Sequence, residues 1–340
     1  ITNKVQICNE FNRHFITATD EIEKSIQIDS NKFNELHNSE TYNISTAFVC
    51  TQATEEEIRT IISNLKCSNA TDKYGISNNT LKLYKSEISP PLTAIFNRHL
   101  NENEFPKCLK LAKVQPLLKS GDKKNLDNYR PISINSIFGK VYEAIILARI
   151  ENHLQNNRIL NDCQFGFIKK SSTEVATVHV LDSIYKNIEN KLYTSCIFVD
   201  LSKAFDSLKH EILLRKLKKL QFTAPFLYLL ESYLSDRKQY VEMQCFKSSD
   251  ECIKKGVPQG AILASTLFLI YINSISKLPL KGKIFLYADD IAMIYGAVST
   301  GELKEWMQHD LNLIKNWLEN HFLKLNATKT KFMIFEGRTP

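Results

Sequence analysis

The 340-residue sequence lacks several features that would place it in a common protein class. Its eight cysteines form no C-x2-C pair, which argues against a zinc site and a compact disulfide framework and favours a reducing compartment. No apolar run approaches the roughly 18 residues needed to cross a bilayer. The N-terminal residues also lack the apolar centre of a signal peptide. The sequence therefore predicts a protein without a membrane anchor.

Disordered and fibrous classes are also disfavoured, because 43% of the residues are hydrophobic and 24% are charged. The net charge of +7, from 44 Lys and Arg against 37 Asp and Glu, suits a polyanionic partner without requiring one. No internal repeat or low-complexity segment is present. The first residue is Ile and not Met, so we expect a piece of a longer polypeptide.

The first 44 residues are polar and predict a helical linker or extension. Phe11, Phe15 and Ile22 are spaced to share one helix face. Since few other apolar residues accompany them, we expect this helix to pack on a partner outside the chain.

Two further helical segments follow, and then a basic hairpin. The first segment begins near "TQATEEEIRT", where Thr51 or Thr54 can cap it. The second, "NNTLKLYKSEISPPLTAIFNRHL", is expected to be broken by Pro90 and Pro91. The segments "VQPLLK" and "YRPISI" then predict a β-hairpin with cations on extended apolar strands, a surface suited to phosphate. The mixture of helices and strands, without regular βαβ alternation, predicts an α+β fold.

Two apolar strands end in carboxylates. In "KIFLYADDIAMIYG", Asp289 and Asp290 interrupt an apolar run, and Asp200 ends the strand "CIFVD". Paired carboxylates in apolar surroundings raise each other's pKa unless a cation is present. If the two strands are neighbours, the three acids meet at one sheet edge and bind divalent cations through oxygen. The alternative is that Asp289 and Asp290 form an exposed hairpin tip, since Asp favours turns.

A pair of magnesium ions about 4 Å apart is the arrangement that polymerases and nucleases use. Such ions activate an attacking hydroxyl and neutralise the charge on a leaving phosphate. Manganese can substitute for magnesium.

At these residues the sequence resembles the reverse transcriptases of non-LTR (LINE-type, jockey-like) retrotransposons. The ordered segments that carry the resemblance are "FVDLSKAFDSL", "GVPQGAILASTLFLIYINSI" and "FLYADDIAMI". The likeness extends through "QFGFIKKSST", "NYRPISINSIFGKVYEAII" and "VQPLLKSGD" on one side, and through "WLENHFLKLNATKTKFMIF" on the other. It covers about residues 45 to 336.

The resemblance implies an α+β right-hand polymerase with fingers and a palm, whose antiparallel sheet is backed by helices, and a truncated thumb. The implied organisation is an N-terminal helical extension (1–44), fingers with the start of the palm (45–190), the first catalytic palm strand (191–210), a fingers–palm connection (211–255), and the catalytic hairpin and last strand of the palm (256–340), with the thumb absent.

The resemblance also implies roles for individual residues. Asp200 and Asp289 would be the catalytic metal ligands, together with the backbone carbonyl of Leu201. Asp290 would be the supporting acid. Phe205 would be the steric gate that excludes a 2′-hydroxyl, although periodicity alone does not distinguish it from a core Phe.

Four further residues would bind the nucleotide. Gln259 would border its pocket in a Gly-rich turn, and Lys119 and Arg130 would hold the triphosphate. Lys329 would lie near the leaving pyrophosphate and act as a general acid. Each Lys also has the plain interpretation of a solvated surface cation.

The implied partners are an RNA template, a DNA primer and deoxynucleoside triphosphates, with an endonuclease and a thumb elsewhere in the polyprotein. The implied location is intracellular, in the nucleus and cytoplasm as a ribonucleoprotein. One departure from the family pattern "GSxLGPLLF" stands out, because Ala264 and Ser265 replace Gly and Pro. It raises the alternative of a catalytically decayed, nucleic-acid-binding remnant. A metal nuclease is a weaker alternative that leaves Phe205 and Gln259 unexplained.

Overall fold

The computed structural model describes residues 3–26 and 42–335. Within them the helices are α1 (Lys4–Thr17), α2 (Asp20–Ser25), α3 (Glu55–Asn64), α4 (Asn78–Leu83), α5 (Lys85–Glu102), α6 (Ile137–Asn156), α7 (Thr173–Glu189), α8 (Ala204–Ser207), α9 (His210–Lys219), α10 (Ala224–Leu234), α11 (Ile262–Ile272) and α12 (Thr300–Asn320). The strands are β1 (Leu111–Leu118), β2 (Tyr129–Ile134), β3 (Tyr193–Val199), β4 (Leu201–Ser202), β5 (Arg237–Met243), β6 (Phe246–Lys247), β7 (Glu251–Ile253), β8 (Lys283–Tyr287), β9 (Asp290–Ala297), β10 (Lys324–Leu325) and β11 (Lys331–Phe335).

The chain folds as two compact units that interleave along the sequence. The first unit contains α1 with Tyr42–Asn157 and His210–Thr266. The second unit contains Arg158–Lys209 and the chain from Leu267 onward. Each unit holds its own sheet, and the mixture confirms the predicted α+β class.

The first unit is built on the sheet β2-β1-β5-β6, with β7 paired to β5. The predicted hairpin is present: β1 and β2 are antiparallel, and Leu117 lies opposite Arg130. Strand β1 also pairs in parallel with β5, so the hairpin is anchored by a central strand. Because Val114 and Val241 on these strands are fully buried, the hairpin lies on a packed core.

Helix α1 of the N-terminal extension packs on the sheet of the first unit, so the prediction of a partner outside the chain is wrong for this helix. Phe11 is buried in a cluster with Cys8 on the same helix and with Val114 and Val241 of the sheet. The long sequence separation between Phe11 and Val241 conceals this contact from local periodicity. Residues 27–41 of the expected extension lie outside the described residues.

The prediction that Pro90 and Pro91 break a helix is also wrong, because both lie inside α5. A proline removes the bond to the carbonyl four residues earlier, which here belongs to Ser86 and Glu87. Both of those residues are exposed, so water can bond the freed carbonyls. Leu92 on the opposite side is buried and holds the helix in place.

The expected capping of α3 is confirmed. The Thr54 hydroxyl accepts a hydrogen bond from the Glu57 amide at 3.1 Å. Three glutamates in the first turn complement the positive end of the helix dipole.

The second unit contains the antiparallel sheet β11-β3-β9-β8. Successive strand residues face opposite sides of a sheet. On one side, Cys196 lies in a core cluster with Ile184 of α7 and with Ile294. On the other side, the Ser195 hydroxyl contacts the Met307 sulfur of α12 at 3.1 Å. The two helices therefore cover opposite faces and fix the sheet that carries the candidate site.

Within residues 3–26 and 42–335, no helix combines the length and the apolar character required to cross a membrane.

Candidate active site

The register of β3 and β9 brings two of the predicted carboxylates together. The strands are antiparallel, with Val199 opposite Ile291. One residue further along, Asp200 follows the end of β3 and Asp290 begins β9. Asp200 and Asp290 therefore occupy facing positions at the same edge of the sheet, and side chains at facing positions point to the same side.

Charge is concentrated at this edge. Partial burial raises the pKa of the Asp290 carboxyl, and the negative charge of Asp200 raises it further. Within the described part of the chain, Asp200 Oδ2 is buried and has no hydrogen-bond donor. The Lys329 Nζ lies 3.8 Å from this oxygen, a distance that gives an ion pair and not a hydrogen bond. The Lys329 ammonium therefore faces the Asp200 carboxylate.

Asp289 lies in the turn between β8 and β9. Tyr287 pairs with Asp290, so the connecting loop consists of Ala288 and Asp289 alone. Ala288 has a φ of +57°, a left-handed backbone conformation that costs an alanine about 1 kcal/mol or more. Asp289 is half-buried whereas Asp290 is exposed, so the alternative of an exposed hairpin tip describes Asp290 but not Asp289.

The residues present fit a divalent cation, although they do not form a closed cage. No group of three His, Cys, Asp or Glu side chains gathers in a metal-holding arrangement among residues 3–26 and 42–335. Magnesium is ordinarily held by one or two carboxylates together with water and substrate phosphates, so a preformed set of three ligands is not required. Among the described residues Asp200 Oδ2 has no hydrogen-bond donor, and this feature together with the raised pKa of Asp290 is what a site completed by a hard cation presents.

Two more of the predicted site residues, Leu201 and Lys329, lie close to Asp200. Leu201 begins β4 and pairs with Leu325 of β10. The Asp200 carbonyl accepts a hydrogen bond from the Asn326 amide at 2.8 Å. The turn containing Lys329 starts at Asn326, and this bond explains how Lys329 comes to lie beside Asp200.

Phe205 lies on α8, the helix that follows β4. Its ring stacks on the buried Phe268 ring with centroids 4.4 Å apart, and part of the side chain remains exposed. Sequence reasoning gave no role to Phe167, whose exposed ring meets Phe205 edge-to-face at 6.3 Å. The sequence feature that could have drawn attention to Phe167 is the segment "QFGF", in which this aromatic residue directly follows a glycine.

The remaining predicted residues, Lys119, Arg130 and Gln259, belong to the first unit. The Lys119 amide donates to the Asn128 carbonyl at 2.8 Å and extends the β1–β2 ladder, so Lys119 and Arg130 share a face of the hairpin. Both side chains are exposed.

Gln259 is half-buried in its turn. Its carbonyl accepts a hydrogen bond from the Ser133 amide at 3.2 Å. Gly260 follows with a φ of +101°, a value that favours glycine.

The sequence profile of the reverse transcriptase (RNA-dependent DNA polymerase) family matches residues 121–338, which is more than half of the chain. The chain belongs to this family. The family resemblance predicted from the motifs is thereby confirmed. The match contains the aspartates, Phe205, Gln259, Arg130 and Lys329, whereas Lys119 lies just before it.

Several relatives of this reverse transcriptase chain come from Drosophila melanogaster. The chain is 33% identical over 284 residues to "Probable RNA-directed DNA polymerase from transposon BS", an alignment that covers 81% of this chain and 31% of the relative. It is 31% identical to "RNA-directed DNA polymerase from mobile element jockey", covering 84% of this chain and 32% of that protein. A third relative, "Probable RNA-directed DNA polymerase from transposon X-element", is 29% identical, with coverage of 78% and 30%. The chain thus spans about a third of the length of these curated relatives.

Proposed function

We propose that this chain is the polymerase part of a retrotransposon protein that copies an RNA template into DNA. In the proposed reaction the primer 3′-oxygen forms a bond to the α-phosphorus of a deoxynucleoside triphosphate. The bond between that phosphorus and the bridging oxygen breaks, and pyrophosphate leaves.

The observation that carries this proposal is the pair of facing carboxylates in a chain of the reverse transcriptase family. Asp200 follows β3 and Asp290 begins the adjacent strand β9, and within the described residues one oxygen of Asp200 is buried without a hydrogen-bond donor. Keeping such a group in a fold is costly unless it binds something positive. We assign Asp200, Asp289 and the Leu201 carbonyl as metal ligands, and Asp290 as the supporting acid.

Bound Mg²⁺, or Mn²⁺ in its place, would supply Lewis-acid stabilisation of the phosphate charge at this edge. The remaining roles, binding the cation and donating a proton, would belong to residues of this chain. The aspartates hold the negative charge that draws the cation, and Lys329 donates a proton to the departing pyrophosphate oxygen. The closeness of Lys329 Nζ to Asp200 supports this role.

The nucleotide-binding roles are proposals of the same kind. Phe205 is assigned as the steric gate because its ring is supported by Phe268 and remains partly exposed. Lys119 and Arg130 would hold the triphosphate, Arg130 through its bidentate fork, and Gln259 would border the pocket.

We further propose a right-hand polymerase organisation, with fingers and the start of the palm over 45–190, the first catalytic palm strand over 191–210, a fingers–palm connection over 211–255, and the rest of the palm over 256–340. An endonuclease and a thumb would belong to other parts of the polyprotein, and the protein would act inside the cell as a ribonucleoprotein, in nucleus and cytoplasm. The chain's coverage of about a third of the relatives is consistent with such further parts.

The direct test is primer extension on poly-rA with oligo-dT, dTTP and Mg²⁺. We expect incorporation by the wild type and a loss of about 10³-fold or more in Asp289→Asn, because a group that stabilises transition-state charge is removed. Asp182→Asn is the matched control, since Asp182 lies on the surface and pairs with Lys186 at 2.7 Å. No incorporation by folded wild type would contradict the proposal and favour the decayed, nucleic-acid-binding remnant.

The steric gate has a separate test. Phe205→Val should admit ribonucleotides, because the smaller side chain leaves room for a 2′-hydroxyl. We expect the preference for dTTP over UTP, measured as the ratio of kcat/KM values, to fall about tenfold or more. Phe332→Val is the control, since Phe332 is exposed on β11. An unchanged ratio in Phe205→Val would remove Phe205 from the gate.

A further inference from the structure

A short segment from elsewhere in the second unit, residues 163–166, forms hydrogen bonds with the turn that carries Asp289 and with Leu286 before it. The Phe165 amide donates to the Leu286 carbonyl at 2.8 Å, and the Leu286 amide donates to the Cys163 carbonyl at 2.8 Å. These bonds form an isolated parallel bridge between Gln164 and Leu286. The bridge lies at the end of β8, immediately before the Ala288–Asp289 loop.

Gln164 bonds that loop directly. Its side-chain Oε1 accepts the Ala288 amide at 3.0 Å and the Gly166 amide at 2.8 Å. Since both partners are donors, the orientation of the Gln164 amide is fixed. Ala288 is the residue with the left-handed φ, so the hydrogen bond from Gln164 holds the one strained position of the loop.

The Gln164 side chain contributes to this contact through its Oε1 and not through its Nε2. The side chain is 6% exposed, and within the described residues its Nε2 is buried without a hydrogen-bond partner. An unsatisfied buried donor is unfavourable for folding. An apolar residue of similar size would avoid that cost but would lose both bonds to Oε1.

Gly166 also packs closely against the backbone of this turn. A Cβ on Gly166 would lie 2.3 Å from the Ala288 nitrogen and 2.9 Å from the Tyr287 carbonyl carbon. Both atoms belong to the backbone, which cannot rotate away as a side-chain end can. Any larger residue must therefore push the loop away from its position.

We propose that Gln164 and Gly166 form a clasp that fixes the Ala288–Asp289 turn. The clasp makes Gln164 a positioning residue, because it touches no reacting atom and acts through the placement of Asp289 and Asp290 opposite Asp200. This catalytic consequence rests on the proposed polymerase function. The clasp itself does not, because it is a property of the metal-free fold.

The test is hydrogen–deuterium exchange at the Ala288 amide in metal-free chain. Gln164→Met removes the acceptor, and we expect exchange to accelerate about tenfold or more, since the amide loses its partner. Gln164→Glu keeps an oxygen acceptor and should retain slow exchange. Gly166→Ala should accelerate exchange as Gln164→Met does. Gly301→Ala is the matched control, because its nearest neighbour would be the Ser299 Oγ at 3.9 Å.

Primer extension supplies a second readout. We expect Gln164→Met and Gly166→Ala to lower kcat about 10²-fold with the KM for dTTP little changed, because misplacement by about 1 Å is enough for such a loss. Wild-type exchange at Ala288 in both variants would overturn the clasp, and so would exchange that rises equally throughout the second unit. If the wild type shows no polymerase activity, the proposed function fails, whereas the exchange result still decides the clasp.

Discussion

Glu143 in the first unit and the Asp200–Asp290 pair in the second are carboxylates in different surroundings, since Glu143 is buried, Asp200 is half-buried and Asp290 is exposed. Glu143 is 1% exposed, and its Oε2 accepts the amides of Ile262 at 2.7 Å and Leu263 at 3.2 Å. Burial raises the pKa of Glu143, while the positive charge of Arg237 and the two amides oppose that rise. The protein therefore supplies the partners of Glu143 itself.

Within the described residues the protein supplies fewer partners to the Asp200–Asp290 pair. A second carboxylate faces each member, and Lys329 approaches Asp200 only to 3.8 Å. The comparison teaches that burial alone does not mark a functional carboxylate. Glu143 caps the start of α11 and serves the fold, whereas the buried Oδ2 of Asp200, which has no hydrogen-bond donor among the described residues, points to a ligand from outside the chain.

Of the substitutions that test this comparison of Glu143 with the Asp200–Asp290 pair, the one at Lys329 is expected to have the largest effect. Lys329→Met should lower the single-turnover rate of incorporation about 10²-fold, because a general acid typically contributes that much or more. Rapid-quench primer extension measures the rate. Lys331→Met is the control, since the Lys331 ammonium bonds the Thr328 carbonyl at 3.1 Å. Equal rates in the two variants would remove Lys329 from the reaction.

The next effect concerns Glu143 and the stability of the fold. Glu143→Leu should lower the free energy of unfolding by about 3 kcal/mol, since it leaves two buried amides and the charge of Arg237 without their carboxylate. Glu143→Gln keeps an acceptor oxygen and should cost about 1 kcal/mol. Urea denaturation monitored by circular dichroism gives both values. If Glu143→Leu unfolds at the wild-type midpoint, the structural role assigned to Glu143 is wrong.

The smallest effect has the opposite sign and involves Asp290. Its folded-state pKa is raised, so the metal-free fold loses stability as the pH rises from the unfolded-state pKa through the folded-state pKa. Asp290→Asn carries no charge and escapes this loss.

Asp290→Asn should therefore raise the metal-free Tm by about 1–2 °C at pH 7, because exposed charge interactions contribute at most about 1 kcal/mol. The gain should vanish at a pH below about 3.9, where Asp is protonated in both states. Scanning calorimetry in the presence of a chelator measures it. A lower Tm for the variant at pH 7 would mean that Asp290 has a partner within the fold.

Local sequence patterns predicted much of this structure. Apolar strands that end in acids identified Asp200 and the Asp289–Asp290 turn, and the threonine followed by glutamates identified the start of α3. These features depend on neighbours within a few residues, where propensity and periodicity act. The register that places Asp200 opposite Asp290 depends on the pairing of strands that are distant in sequence, so local patterns do not predict it.

The features that sequence reasoning missed are long-range. Phe11 packs on a sheet whose strands lie more than a hundred residues away, and Gln164 reaches Ala288 across 124 residues of sequence. The error at Pro90 and Pro91 has a different cause. The rule against proline inside helices assumes that the freed carbonyls are deprived of partners, whereas here they belong to exposed residues that water can reach.

The central claim is that Asp200 and Asp289 bind a divalent cation with Asp290 as the supporting acid, and calorimetric titration with Mn²⁺ tests it most directly. The account predicts binding to the wild-type chain that Mg²⁺ competes away, with affinity reduced about tenfold or more in Asp200→Asn because an oxygen ligand is lost. Identical binding isotherms for wild type and Asp200→Asn would contradict it.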